Sequence, residues 1–193
     1  VLFQYMNRDL NITQSPFLNI IDSTLIQTVE SQNITQKHWK KNTVTIRSTK
    51  SNTHTGAYKR YICGFKVFVH LNRKGRVYRA HVSPINIPDN EITKNPCFYQ
   101  LRGVLLGDRG FNSKEIRKRS SGLYRLISPP HIKEKHVLTP QEQRLYKLRW
   151  QIETMFQRLK NEYKEFKLKI SNRYSKSIQH GEVFLALIKY NMS

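Results

Sequence analysis

Two short apolar runs in this chain each lead directly into an aspartate. Phe17-Leu18-Asn19-Ile20-Ile21 follows Pro16 and runs into Asp22-Ser23-Thr24, and Gly103-Val104-Leu105-Leu106-Gly107 runs into Asp108-Arg109-Gly110-Phe111. Apolar runs of this length, β-branched and bounded by turn residues, read as buried strands rather than helices. The chain is thereby committed to a core built on a sheet, with an acid at the end of each of two strands.

Other segments fill in the architecture. Gly64–Leu71 and Arg76–Val82 are β-rich and separated by Asn72-Arg73-Lys74-Gly75, which predicts an antiparallel hairpin with Gly75 free to take a positive φ. Leu126-Ile127-Ser128 before Pro129-Pro130 predicts one more short strand, stopped by residues that cannot continue a ladder. Residues 30–59, rich in Ser, Thr, Asn and Lys, read as a long surface connection. Asp89-Asn90-Glu91 opens a short helix, and Ser113–Arg119 reads as another.

Thr139-Pro140-Gln141-Glu142 is a capping box with proline in the first turn, so a helix begins there. Leu145, Leu148, Ile152, Phe156, Leu159, Tyr163 and Phe166 recur at three- and four-residue steps and predict one helix with a continuous apolar stripe. A last apolar helix is expected after Gly181. The predicted fold class is α/β, a mixed sheet with helices on its faces.

At 100° per residue, Tyr146, Arg149, Gln157 and Lys160 all fall within about 40° of Glu153, with Lys164 and Lys167 extending the same line. A lone carboxylate in a row of cations suits a metal ligand flanked by phosphate-binding groups. The plain alternative is a solvated basic face on which Glu153 pairs with Arg149 or Gln157. For Asp22 and Asp108 separately, the alternative is a turn or helix cap. Together, the three acids could form an oxygen cage for Mg2+.

Charge points to the partner. The chain carries +21, distributed as −2 over residues 1–36 and +23 over the rest. Such an excess favours a polyanion, with nucleic acid the obvious one, although a non-catalytic basic protein would show it too. Cys63 and Cys97 are far apart and form neither a disulfide framework nor a zinc ribbon, which suggests a reducing compartment. The longest apolar run, Val183–Ile188, falls well short of the roughly 20 residues that span a bilayer, and no signal peptide opens the chain. A soluble intracellular protein with no membrane partner is expected.

The string Tyr146-x2-Arg149-x3-Glu153-x6-Lys160 resembles the Y-x2-R-x3-E-x6-K signature of the insertion-sequence-four-like DDE transposases. Ile20-Ile21-Asp22-Ser23 resembles that family's first-aspartate motif, Gly64-Phe65-Lys66 its G-x-K strand, and Leu106-Gly107-Asp108-Arg109-Gly110-Phe111 its second-aspartate motif. The resemblance covers residue 17 to the C-terminus. It implies an RNase H-like fold, a metal triad of Asp22, Asp108 and Glu153, and two Mg2+ or Mn2+ ions. It also implies that Tyr146, Arg149 and Lys160 grip DNA, and that a homodimer or larger assembly forms on double-stranded transposon ends and target. In a bacterial host the protein would be cytoplasmic and nucleoid-associated.

Some features depart from the family pattern. About 45 residues separate Asp108 from Glu153, leaving no room for the β insertion some relatives use in hairpin-end chemistry. Residues 1–16, of which Val1–Gln4 resemble a protease-cleavage tag, are too short for the DNA-recognition region that usually precedes the first aspartate. Residues 17–193 are read as the catalytic domain. Phe68 stands where relatives often have His, and His70 is assigned no role. Asp89 lies where relatives often carry an acid and is read as a helix cap rather than a fourth metal ligand. No phosphate loop, H-E-x-x-H or G-x-S-x-G is present, and His131 with His136 lack further ligands for zinc. Two rival functions remain: a nuclease or resolvase that cuts without joining, and an idle basic nucleic-acid-binding module.

Overall fold

The computed structural model describes residues 17–29, 45–50, 59–84, 87–92, 101–112, 116, 118, 122–130, 137–162 and 176–193. Six strands, β1 (Leu18–Val29), β2 (Thr45–Lys50), β3 (Lys59–Asn72), β4 (Val77–Pro84), β5 (Gly103–Leu106) and β6 (Tyr124–Ile127), form one mixed sheet. The helices are α1 (Asp89–Ile92), α2 (Pro140–Tyr146), α3 (Trp150–Glu162) and α4 (Lys176–Met192). This is the expected α/β class. β4, β3 and β1 run antiparallel, whereas β5 and β6 run parallel to β1, in the order β4-β3-β1-β5-β6. That order agrees with an RNase H-like sheet. β2 continues the β4 row along the same edge of β3, pairing Lys59–Gly64 where β4 pairs Phe65–Leu71.

The sheet separates two apolar layers by the period-two alternation of its strands. Ile20, Val67, Val69, Leu71 and Leu106 face α3 and α4, where they meet Ile152, Met155, Leu159, Val183 and Leu187. Ile21, Phe68 and Leu105 face the other way, towards Leu101 and Phe111. The hairpin turn forms as expected. Gly75 has φ 75°, and the Asn72 side-chain oxygen accepts from the backbone amides of Lys74 and Arg76 at 3.0 and 3.1 Å.

Several sequence expectations need correction. β1 does not stop at Asp22: Thr24–Val29 continue it, because β3 is long enough to pair β1 as far as Val29. Residues 30–59 are not simply a connection, since β2 lies among them. The helix from Thr139 is not continuous, because a 3-10 turn over Lys147–Arg149 separates α2 from α3. Leu145, assigned to the apolar stripe, is exposed, and Met155 is buried there instead. The last helix begins at Lys176, so Gly181 lies inside it. Tyr163, Lys164, Phe166, Lys167, Cys97, His131 and His136 lie outside the described residues, as does most of Ser113–Arg119. No helix of the described residues is long and apolar enough to cross a membrane.

Candidate active site

The sheet register brings the two aspartates together. β1 and β5 are parallel, with Ile20 opposite Leu106, and the pairing ends there. Asp22 and Asp108 each lie two residues beyond that last pair, so they leave neighbouring strands at the same level, with strands roughly 4.8 Å apart. Asp22 is thus inside a strand along its β3 edge, opposite Val69, yet at the end of the ladder on its β5 edge. Asp108 caps the 3-10 turn Arg109–Phe111, its Oδ1 accepting from the Gly110 amide at 2.7 Å.

The helical side supplies Arg149 and Glu153. Arg149 Nη1 donates to Asp22 Oδ2 at 2.7 Å, and Nη2 donates to Glu153 Oε1 at 2.5 Å. The Asp22 and Arg149 side chains are mostly buried, while Glu153 is 54% exposed. The 3-10 turn helps set this geometry, because residues three apart eclipse in such a turn. Arg149 accordingly lies over the Tyr146 ring, 5.8 Å from its centroid. Half-burial raises the Tyr146 phenol above its ordinary range. Lys160 is exposed two turns beyond Glu153. The plain expectation that Glu153 pairs with Arg149 is therefore met, but the same guanidinium also holds an aspartate from 127 residues away.

Burial pushes Asp22 up from 3.8 to about 6. That net value already includes the lowering effects of Arg149 and the Ser23 amide and the smaller raising effects of Asp108 and Asp89. A hard divalent cation is the chemical partner that all-oxygen carboxylate donors suit. In this arrangement the donors do not close around one: among the described residues no group of three or more His, Cys, Asp or Glu is gathered tightly enough to hold a metal. Arg149 stands between Asp22 and Glu153 instead.

Asp89 is closer to the acids than a helix-cap role implied. Its Oδ1 accepts from Lys66 Nζ at 3.0 Å and from Ser23 Oγ at 3.1 Å. A signal for this was available. Lys66 sits among Phe65, Val67, Phe68 and Val69, and an ammonium buried in such a run requires a counter-ion.

The fold and these acids define an α/β domain with two strand-borne aspartates side by side and a helix-borne glutamate reached through a shared arginine. Residues 16–192 match the family described as the transposase DDE domain, and the chain belongs to that family. No curated protein matches it. Among solved structures it is similar to one described as a Mos1 transposase paired-end complex with left transposon end, at 10% identity and a TM-score of 0.37. That similarity covers 97% of this chain and 56% of the other, so this chain spans little more than half the length of that one. A likeness this distant adds nothing to the fold or the function.

Proposed function

We propose that this chain is a transposase catalytic core of the insertion-sequence-four-like group, which hydrolyses the phosphodiester at a transposon end and transfers the freed 3′-hydroxyl into target DNA. Residues 17–193 form the catalytic domain, and residues 1–16 precede it. The observation that carries the proposal is that the sheet register sets Asp22 beside Asp108 while Arg149 ties Asp22 to Glu153, which joins three separate parts of the sequence.

Asp22, Asp108 and Glu153 would hold two Mg2+ or Mn2+ ions. When bound, those ions would activate a water or 3′-hydroxyl and steady the leaving oxygen. Arg149 presents a planar fork suited to a phosphate as well as to the two carboxylates it now holds. Tyr146 and Lys160 extend that contact along the DNA backbone, Lys160 as a mobile point charge. The protein works in the soluble phase and pairs two ends as a dimer or larger assembly on double-stranded DNA.

The test is Mn2+- or Mg2+-dependent nicking of supercoiled plasmid, followed by strand transfer with pre-cleaved ends. Asp22→Asn, Asp108→Asn and Glu153→Gln should each abolish nicking while DNA binding is retained or strengthened, because each removes repulsion of phosphate. Full cleavage by any of the three would overturn the assignment. Cutting without joining would leave a nuclease. A second reading, a basic DNA-binding domain that does not cut, is favoured by one observation: Arg149 engages both Asp22 and Glu153. Binding without nicking across an Mn2+ titration would establish it.

A further inference from the structure

Lys66 is 3% exposed in the middle of β3. Its Nζ donates to Asp89 Oδ1 at 3.0 Å and to the Ile87 carbonyl at 2.8 Å, and lies 5.7 Å from the centroid of the Phe68 ring. A buried ammonium with such partners is fixed in place, and it fixes Asp89 in turn. The same Asp89 oxygen accepts the Ser23 hydroxyl at 3.1 Å, and the Ser23 amide donates to Asp22 Oδ1 at 2.8 Å. On the other side, Asp89 Oδ2 lies against Gly110, where a Cβ would come within 2.8 Å of it and 3.0 Å of Asp108 Oδ1. Asp89 therefore touches the residue that follows Asp22 and the glycine whose amide Asp108 holds.

We propose that Asp89, clamped by Lys66, is a positioning residue that sets the spacing between Asp22 and Asp108. The inference rests on the transposase reading of those two acids. Lys66 neutralises Asp89, so this carboxylate can bridge the two mounts without adding its full charge to theirs. Neither Asp89 nor Lys66 touches the reacting atoms in this scheme; both act through the acids they align.

The experiment compares the wild-type chain with Asp89→Ala, Lys66→Met and Ser23→Ala. It measures the Mn2+ concentration for half-maximal plasmid nicking, Mn2+ affinity by calorimetry, DNA affinity by anisotropy and folding by thermal melt. Partners that orient ligands typically change metal affinity 10- to 100-fold. Asp89→Ala and Lys66→Met should accordingly raise the Mn2+ requirement about tenfold or more, with DNA affinity unchanged, and Ser23→Ala should raise it less. A folded Asp89→Ala with the wild-type Mn2+ requirement overturns the proposal, as does an equal loss of DNA affinity, which would mark general damage. If Asp89→Ala does not fold, Ser23→Ala, which leaves the Lys66–Asp89 pair in place, decides the matter by the same criterion. If the wild-type chain neither binds Mn2+ nor cuts, the transposase reading fails and takes this inference with it. A wild type that binds or cuts, beside variants that do so equally well, removes this inference alone.

Discussion

Arg149 shows how little of an ion pair's meaning lies in its local spacing. Its four-residue step to Glu153 is an ordinary helix pair, worth a few tenths of a kcal/mol on a surface, and that much was legible from the helical wheel. Its bond to Asp22 was not, because it depends on where α3 crosses the sheet. The burial that comes with this arrangement leads to a pH prediction. Asp22 has a folded pKa of about 6 against an ordinary 3.8, so its stabilising contribution is complete below pH 3.8 and is lost as pH rises through 6. Asp22→Asn, which mimics the protonated form, should melt higher than wild type at pH 8 in metal-free buffer and lose that advantage by pH 4. His70 has the opposite sign. Burial first, then Arg79 and His81, lower it from 6.5 to about 3, so its contribution is present above pH 6.5 and lost as pH falls through 3. His70→Gln should flatten the decline of stability on acidification, measured by melts between pH 7 and 3. Gly110→Ala places a Cβ against Asp89 and Asp108 and should cost about 1–3 kcal/mol by overpacking, measured by chemical denaturation.

Among the elements, the predicted start of α2 appears as drawn. Thr139 Oγ1 accepts from the Glu142 amide at 3.3 Å, and Glu142 Oε2 accepts from the Thr139 amide at 2.8 Å. Glu142 also takes a bond from Arg125 of β6 at 2.7 Å, which ties the helix to the sheet and lies beyond any local pattern. Thr139→Ala should cost about 1 kcal/mol in denaturant unfolding. The capping box was legible because all its partners lie within four residues. The 3-10 turn was not, because apolar periodicity barely distinguishes one tight turn from α-helix, and Leu145 left the stripe where that turn begins. Ile152, fully buried between α3 and the sheet, should cost about 2–5 kcal/mol on truncation to Ala. The contrast between these two losses separates the capping of α2 from the docking of α3 on the sheet.

For the whole molecule, if the proposed function holds, a charge of +21 requires DNA binding to weaken steeply with salt. Lys160→Ala should lower the magnitude of the log Kd against log salt slope by about 0.9, the share of one phosphate contact. An unchanged slope would remove Lys160 from the DNA contact. The sequence by itself determined five of the six described strands, the hairpin, the helix cap and the basic excess, because each is written in neighbouring residues or in composition, whereas β2 carries no such pattern. Only the tertiary structure decided that β1 runs on past Asp22 and that Arg149 bridges two acids. It alone decided that Lys66, Asp89 and Ser23 converge on them, because parallel register and helix crossing are set by how the layers pack. Those contacts join residues 23 to 127 positions apart, a distance over which a sequence carries no local pattern to read.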